Sequence, residues 1–266
     1  MPTRRTVAKK KKHKVDHSMM KLGKHNVKHD PRTLHMHNYV DLKKLPKAPG
    51  EHVWAKKIPS KKWGLMLNTS IENCTIASAA HLIIEWTADN GRPIIPTDEH
   101  IIKAYSAVTG YNPKTGENDD GANQLDVLRH WRKKGIAGHK VMAYIKLDHK
   151  NHDHIKHACY LFGGCYAGFL LPKTAWHQPM WRLTSLGLRG RGKVGSWGGH
   201  AVAIIGYDKK GLTCVTWGQT KRLTWAFWDA YCEEAYAVVS HDFATKKGSP
   251  SGFDLEMLEK DLKLVK

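Results

Sequence analysis

No apolar run in this 266-residue chain approaches the ~20 residues that a membrane-spanning helix needs, so a helical span is not expected. The opening residues, MPTRRTVAKKKKHK, lack the apolar stretch of a secretory leader. A cytoplasmic or virion-associated location is the expectation. Cysteines are few: Cys74, Cys159, Cys165, Cys214 and Cys232, an odd set with no CxxC pair. That pattern excludes a disulfide framework and a zinc ribbon, and it fits a reducing compartment. Acidic residues are scarce, 24 against 43 Lys and Arg. There is no internal repeat, no HExxH, and no helix-turn-helix, RRM or zinc-finger pattern. Hydrophobic residues make up 41% of the chain, enough for a globular core.

The positive charge is uneven. Residues 1–62 hold 18 Lys and Arg against 4 Asp and Glu, a net +14, while residues 63–266 hold 25 against 20, a net +5. The front segment also carries seven histidines and few large apolar side chains. It lacks the apolar surface to offset its own ordering entropy, so residues 1–35 read as a disordered basic tail. Such a tail attracts polyanions non-specifically through counterion release, or serves only for solubility. Residues 36–62, with Pro46, Pro49 and Pro59, read as an extended lead-in, and a globular domain is expected over 63–266.

Within that domain, 74–88 (CTIASAAHLIIEWTA) reads as a buried helix, with Ile76, Ala80, Ile83 and Ile84 on one face. A second helix over 97–109 has Thr97 as cap, Asp98 and Glu99 at its positive end, and Gly110 as stop. A third covers 122–134. Strands are expected at 139–147, 164–171, 200–207, 212–217 and 235–240, with helices at 152–162 and 224–231. Leu255, Leu258, Leu262 and Val265 make an apolar stripe on a terminal helix over 254–265 that is expected to dock on the domain. Helices first and antiparallel strands last give an α+β fold in two lobes.

Two residues stand out chemically. Cys74 sits in the first turn of its helix, where backbone N–H groups and the helix dipole favour thiolate. His200 opens the most hydrophobic strand directly after Gly198-Gly199, which exposes its ring at the strand end. Taken singly, Cys74 reads first as a small buried hydrophobe and His200 as a hydrogen-bonded strand-end residue, ahead of any functional role. Together they match the requirement of a cysteine nucleophile for a base from a distant strand.

Three segments, Cys74 with its small-residue helix, His200-Ala-Val-Ala-Ile-Ile-Gly-Tyr, and Thr216-Trp217-Gly218, resemble the papain-like cysteine peptidases across residues 63–240. The resemblance implies a helical left lobe headed by the cysteine and an antiparallel right lobe carrying the histidine. It implies that His200 takes the Cys74 proton, and that the thiolate attacks the carbonyl of a peptide or other amide substrate without a cofactor or metal. The Cys74 N–H and an amide six residues earlier, here Asn68, would hold the oxyanion. Asp120-Gly121 and Gly163-Gly164 also fall in the family's order. The family's orienting Asn corresponds to Val215, which cannot hold an imidazole by a hydrogen bond; Thr216 is the nearest polar substitute. Trp197, Gly199 and Trp217 are the residues expected to line the substrate cleft. The departure at Val215 leaves a second reading open, a papain-fold binding or structural protein without activity. Residues 1–62 also lack the long helices expected of a propeptide.

The cluster His149, His152, His154 and His157 lacks a metal-site pattern and reads as solvated helix surface. His81 reads as a packed or surface helix residue and not as a second base. The glycine-rich basic loop 187–199 precedes a strand, so it is a cleft wall whose charge favours acidic substrates and not a phosphate cradle. Trp86, Trp131, Trp225 and Trp228 read as core.

Overall fold

The computed structural model describes residues 16–36, 46–54, 58 and 62–243. Residues 1–15 and the terminal helix expected over 254–265 lie outside the described residues.

The architecture is α+β. In chain order the elements are β1 (His52–Val53), α1 (Cys74–Asp89), α2 (Asp98–Thr109), α3 (Gln124–Lys133), β2 (Val141–Lys146) and α4 (His152–Phe162). Then come β3 (Cys165–Leu171), β4 (Met180–Trp181), β5 (Gly198–Asp208), β6 (Gly211–Thr216), β7 (Gln219–Thr224), α5 (Trp225–Tyr231) and β8 (Cys232–Ser240). The sheet runs β2-β8-β3-β5-β6-β7-β4, with β1 added on β5. All pairings are antiparallel except β4 with β7.

The central strand β5 is buried on both faces, which is why its sequence is a continuous apolar run. Ala201, Ala203 and Ile205 face one core, shared with Ile76 and Ile83 of α1 and Trp131 of α3. Val202, Ile204 and Tyr207 face the other, shared with Ile155 of α4 and Phe227 and Trp228 of α5. The helices of the first half thus cover one face of the sheet, and α4 and α5 cover the other.

Helix α1 differs from a one-faced helix: 15 of its 16 residues are buried. Two of its buried hydroxyls are satisfied within the helix itself. Ser78 donates to the Cys74 carbonyl at 2.8 Å and Thr87 to the Ile83 carbonyl at 2.7 Å. His81 is buried against the Gly64 carbonyl at 3.0 Å, and burial pushes its pKa down to about 4. Helix α2 begins as its sequence indicates, with Thr97 accepting from the His100 N–H and Gly110 closing it at φ 80°.

Two details depart from the sequence reading. Strand β7 does not stand out in sequence because Lys221 occupies a buried position beside Leu223; its ammonium donates to the Gln178 carbonyl at 2.7 Å and lies over the Trp181 ring. Trp225 is only half-buried and stacks on His152 at the surface, whereas Trp86, Trp131 and Trp228 are core.

Candidate active site

Helix α1 starts without a side-chain cap. Asn73 occupies the N-cap position, yet its amide donates to the Met66 carbonyl at 2.7 Å, and no side chain caps the first turn. Uncapped N–H groups there are donors waiting for an acceptor. Cys74 opens this turn, 1% exposed. The N–H of Ala201 on β5 donates to its sulfur at 3.3 Å. Because α1 packs across β5, the residue after His200 touches the thiol at the seam between helix and strand.

His200 pairs opposite Phe169 of β3 and is 1% exposed. Its Nε2 lies 2.7 Å from Thr216 Oγ1, and its buried Nδ1 has no hydrogen-bond partner among the described residues. Its ring stacks on Trp217 at 4.5 Å and 21°. Trp217 sits at φ 46°, a left-handed conformation that costs a non-glycine residue roughly 1–2 kcal/mol. Its contacts with the rings of Trp181 and Trp197 offset that cost. Val215 points into the core with α1 and takes no part in holding His200.

Asn68 lies in the loop before α1, after Met66 and Leu67, both left-handed at φ 52° and 62°. Its amide donates within that loop to the Ile71 carbonyl at 3.4 Å. The structure therefore places the N–H of Ala201 against Cys74 and places Thr216 and Trp217 against His200, with Asn68 on the approach loop turned inward on itself.

The seam is covered. Residues 17–25, which by composition have no core to join, lie along the groove as a strap. Trp217 Nε1 donates to the Lys21 carbonyl at 3.1 Å, and the Cys74 N–H donates to the Leu22 carbonyl at 3.4 Å. The Lys24 N–H donates to the Gly199 carbonyl at 3.0 Å. Ala122 exchanges backbone bonds with Gly23 and His25, at 2.8 and 3.0 Å, in parallel sense. His17 stacks on the outer face of Trp217 at 5.2 Å. The strap fits because both sides are glycine where they touch: a Cβ on Gly121 would overlap the Gly23 carbonyl, and one on Gly23 would overlap that of Glu72. An open groove of about 360 Å³ runs alongside, lined by Leu22, Glu72, Asp120, Trp197 and Gly199.

From residue 16 onward, the described part of the segment read as a tail lies against this groove. Composition asks whether a segment can bury its own apolar surface; this one uses a groove that the domain supplies. Its basic side chains are partly neutralised there, Lys28 on Asp126 at 2.8 Å and Arg32 on Asp30 at 2.8 Å.

Burial sets the electrostatics. It pushes the Cys74 thiol up to about 12, against smaller opposing effects of the Ala201 N–H and Lys24. It pushes His200 down to about 3, helped by the nearby His17 and His81. Burial thus favours the uncharged thiol of Cys74 and the uncharged imidazole of His200.

The other cysteines are free, buried core residues. Among the described residues no cluster of His, Cys, Asp or Glu could hold a metal ion. The surface histidines are engaged elsewhere, His152 with Asp229 at 2.7 Å and His157 with the Asp153 carbonyl at 2.7 Å. Among the described residues no helix is long and apolar enough to cross a membrane.

The fold is that of the papain-like cysteine proteases among solved structures. Xylellain, a cysteine protease from Xylella fastidiosa, superposes with a TM-score of 0.62 at 14% identity, over 88% of this chain and 99% of that one. Procathepsin B S9 from Trypanosoma congolense gives 0.57 at 12% identity, over 85% and 88%. Procathepsin L 3 from Tenebrio molitor larval midgut gives 0.54 at 11%, over 82% and 77%. No family model matches the sequence, and no curated protein matches it.

Proposed function

We propose that this protein is a cysteine peptidase or amidase working through a Cys74–His200 dyad, held closed by its own residues 17–25. The observation that carries this reading is the seam itself. A thiol touches the residue next to a histidine whose Nδ1 is unpartnered and whose Nε2 is held by a hydroxyl. With Nε2–H donating to Thr216, Nδ1 keeps its lone pair and is the base. Thr216 does by a hydroxyl what an orienting amide would do, one residue beyond the valine.

Catalysis requires the strap to leave. Solvent and substrate then reach the seam, and the burial that disfavours the charged pair is relieved. His200 Nδ1 takes the thiol proton, and the Cys74 thiolate adds to the amide carbonyl carbon. The Cys74 N–H, now freed from Leu22, donates to the oxyanion, joined by the Asn68 amide once it turns from Ile71. The imidazolium gives its proton to the departing amine. Water, deprotonated by His200, then hydrolyses the thioester and restores the thiol. Trp197, Gly199 and Trp217 form the cleft wall that the substrate meets.

A second reading is a closed papain-fold binding protein, motivated by Val215 and by how completely the strap fills the groove. A polyanion contact through the basic front segment is compatible with either. The two readings separate on one variant. Gly23→Ala collides with Glu72 and lifts the strap while leaving residues 62–243 unchanged. It is expected to cleave members of a diverse peptide library, and the added Cys74→Ala change is expected to abolish cleavage. A folded Gly23→Ala protein that cleaves nothing sinks the peptidase reading.

A further inference from the structure

The strap's own lysine marks a pocket that the chemistry above does not use. Lys24 is flanked on both sides by the backbone bonds that seat the strap, and its side chain is fully buried. Its ammonium lies 3.0 Å from Glu234 Oε1, pairs also with Glu233, and donates to the His25 carbonyl at 2.9 Å. Both glutamates stand at the start of β8, and the Glu234 side chain is fully buried. Tyr236 donates its hydroxyl to Glu234 Oε2 at 2.8 Å and fixes the carboxylate. Gln124 forms another wall: it is fully buried, and its Oε1 has no hydrogen-bond partner among the described residues. Gly168 of β3 supplies the space, since a Cβ there would overlap both Gln124 Oε1 and the Lys24 methylenes.

The pocket is a narrow sleeve for an alkyl chain, closed at its end by two carboxylates and a spare amide oxygen. When the strap leaves, Lys24 leaves with it, and a buried carboxylate loses its cation. Burying a carboxylate without a cation is unfavourable, so a peptide that closes the pocket again must supply a cation on a long stem. We infer that this pocket, formed by Glu233, Glu234, Gln124 and Gly168, selects a lysyl or arginyl side chain of the peptide that replaces the strap. The inference rests on the peptidase reading for what enters the groove, but not for the pocket's preference. The basic 187–199 loop alone favours an acidic substrate; the enclosed carboxylates argue for a cation at this one position.

The test uses the full chain with Lys24→Ala, which empties the pocket and keeps the strap's backbone. n-Butylammonium is expected to bind this variant and raise its Tm, and n-butanol of the same length is not. Adding Glu234→Gln is expected to weaken butylammonium binding about 10- to 100-fold, the worth of a charge-assisted bond. In cleavage profiling of Gly23→Ala, whose strap is lifted, peptides with Lys or Arg at one position are expected to exceed norleucine by a similar factor. Equal effects of butanol and butylammonium, or cleavage indifferent to basic residues, overturn the inference while leaving the peptidase intact. Butylammonium binding without cleavage of any peptide keeps the pocket and removes the peptidase. Should Lys24→Ala not fold, Gly23→Ala, with every pocket residue intact, takes its place in the binding measurement.

Discussion

Lifting the strap should change the reactivity of one thiol among five. In the closed protein burial holds Cys74 at about 12, against an ordinary thiol value of 9.0. At pH 8 a thiol titrating near 12 is thiolate about one time in 10⁴, and one titrating near 9 about one time in ten. The thiolate is the species that alkylates. Gly23→Ala should therefore accelerate iodoacetamide labelling of Cys74 by up to about 1,000-fold, the limit reached if the strap supplies all of the burial. An unblocked helix N-terminus and imidazole pull in the same direction. Cys159, Cys165, Cys214 and Cys232 serve as internal references, because each is buried in the core and burial raises each thiol. Labelling is followed by peptide mass spectrometry over time. Unchanged Cys74 labelling in a folded variant refutes the claim that the strap silences the thiol. Acceleration of all five thiols means the domain has opened, and the strap is then not a separate device.

Three further outcomes follow from the same geometry. In the Gly23→Ala background, Thr216→Val should lower peptide turnover about 5- to 100-fold by releasing His200 Nε2, and Thr216→Ser should retain it; equal rates for both would mean Thr216 does not orient the base. His200 and His81 titrate at about 3 and about 4 against 6.5 when unfolded, so the unfolded chain binds more protons in acid. Stability is then full above about pH 6.5 and falls as pH drops below it, and His81→Gln should flatten that slope in urea titrations; an unchanged slope counts against the buried neutral His81. Residues 1–15 carry seven Lys and Arg, so deleting them should reduce the salt dependence of heparin or DNA binding, by about 0.9 in log–log slope for each duplex phosphate no longer neutralised. An unchanged slope would put any polyanion binding on the domain.

Much of the fold is legible because its strongest elements are locally consistent. Thr97, the acidic first turn and Gly110 agree on α2, and the apolar run from Ala201 to Tyr207 is the composition of a strand covered on both faces. Strand β7 is not legible, since a buried lysine breaks the alternation that identifies a strand. The candidate dyad is visible as a cysteine at a helix start and a histidine at a strand start. That Thr216, and not Val215, holds the ring depends on which way the last residues of β6 face, which side-chain identity does not reveal.

The chain's own order of residues determined two lobes, a thiol at one helix end and an imidazole at one strand end, because periodicity and capping are local. Tertiary structure alone decided that residues 17–25 would lie over that pair and that Lys24 would find Glu233 and Glu234 more than two hundred positions away. A segment with no core of its own carries no local signal of order. Its place is set by a groove, two facing glycines and two carboxylates that exist only once the rest of the protein has folded.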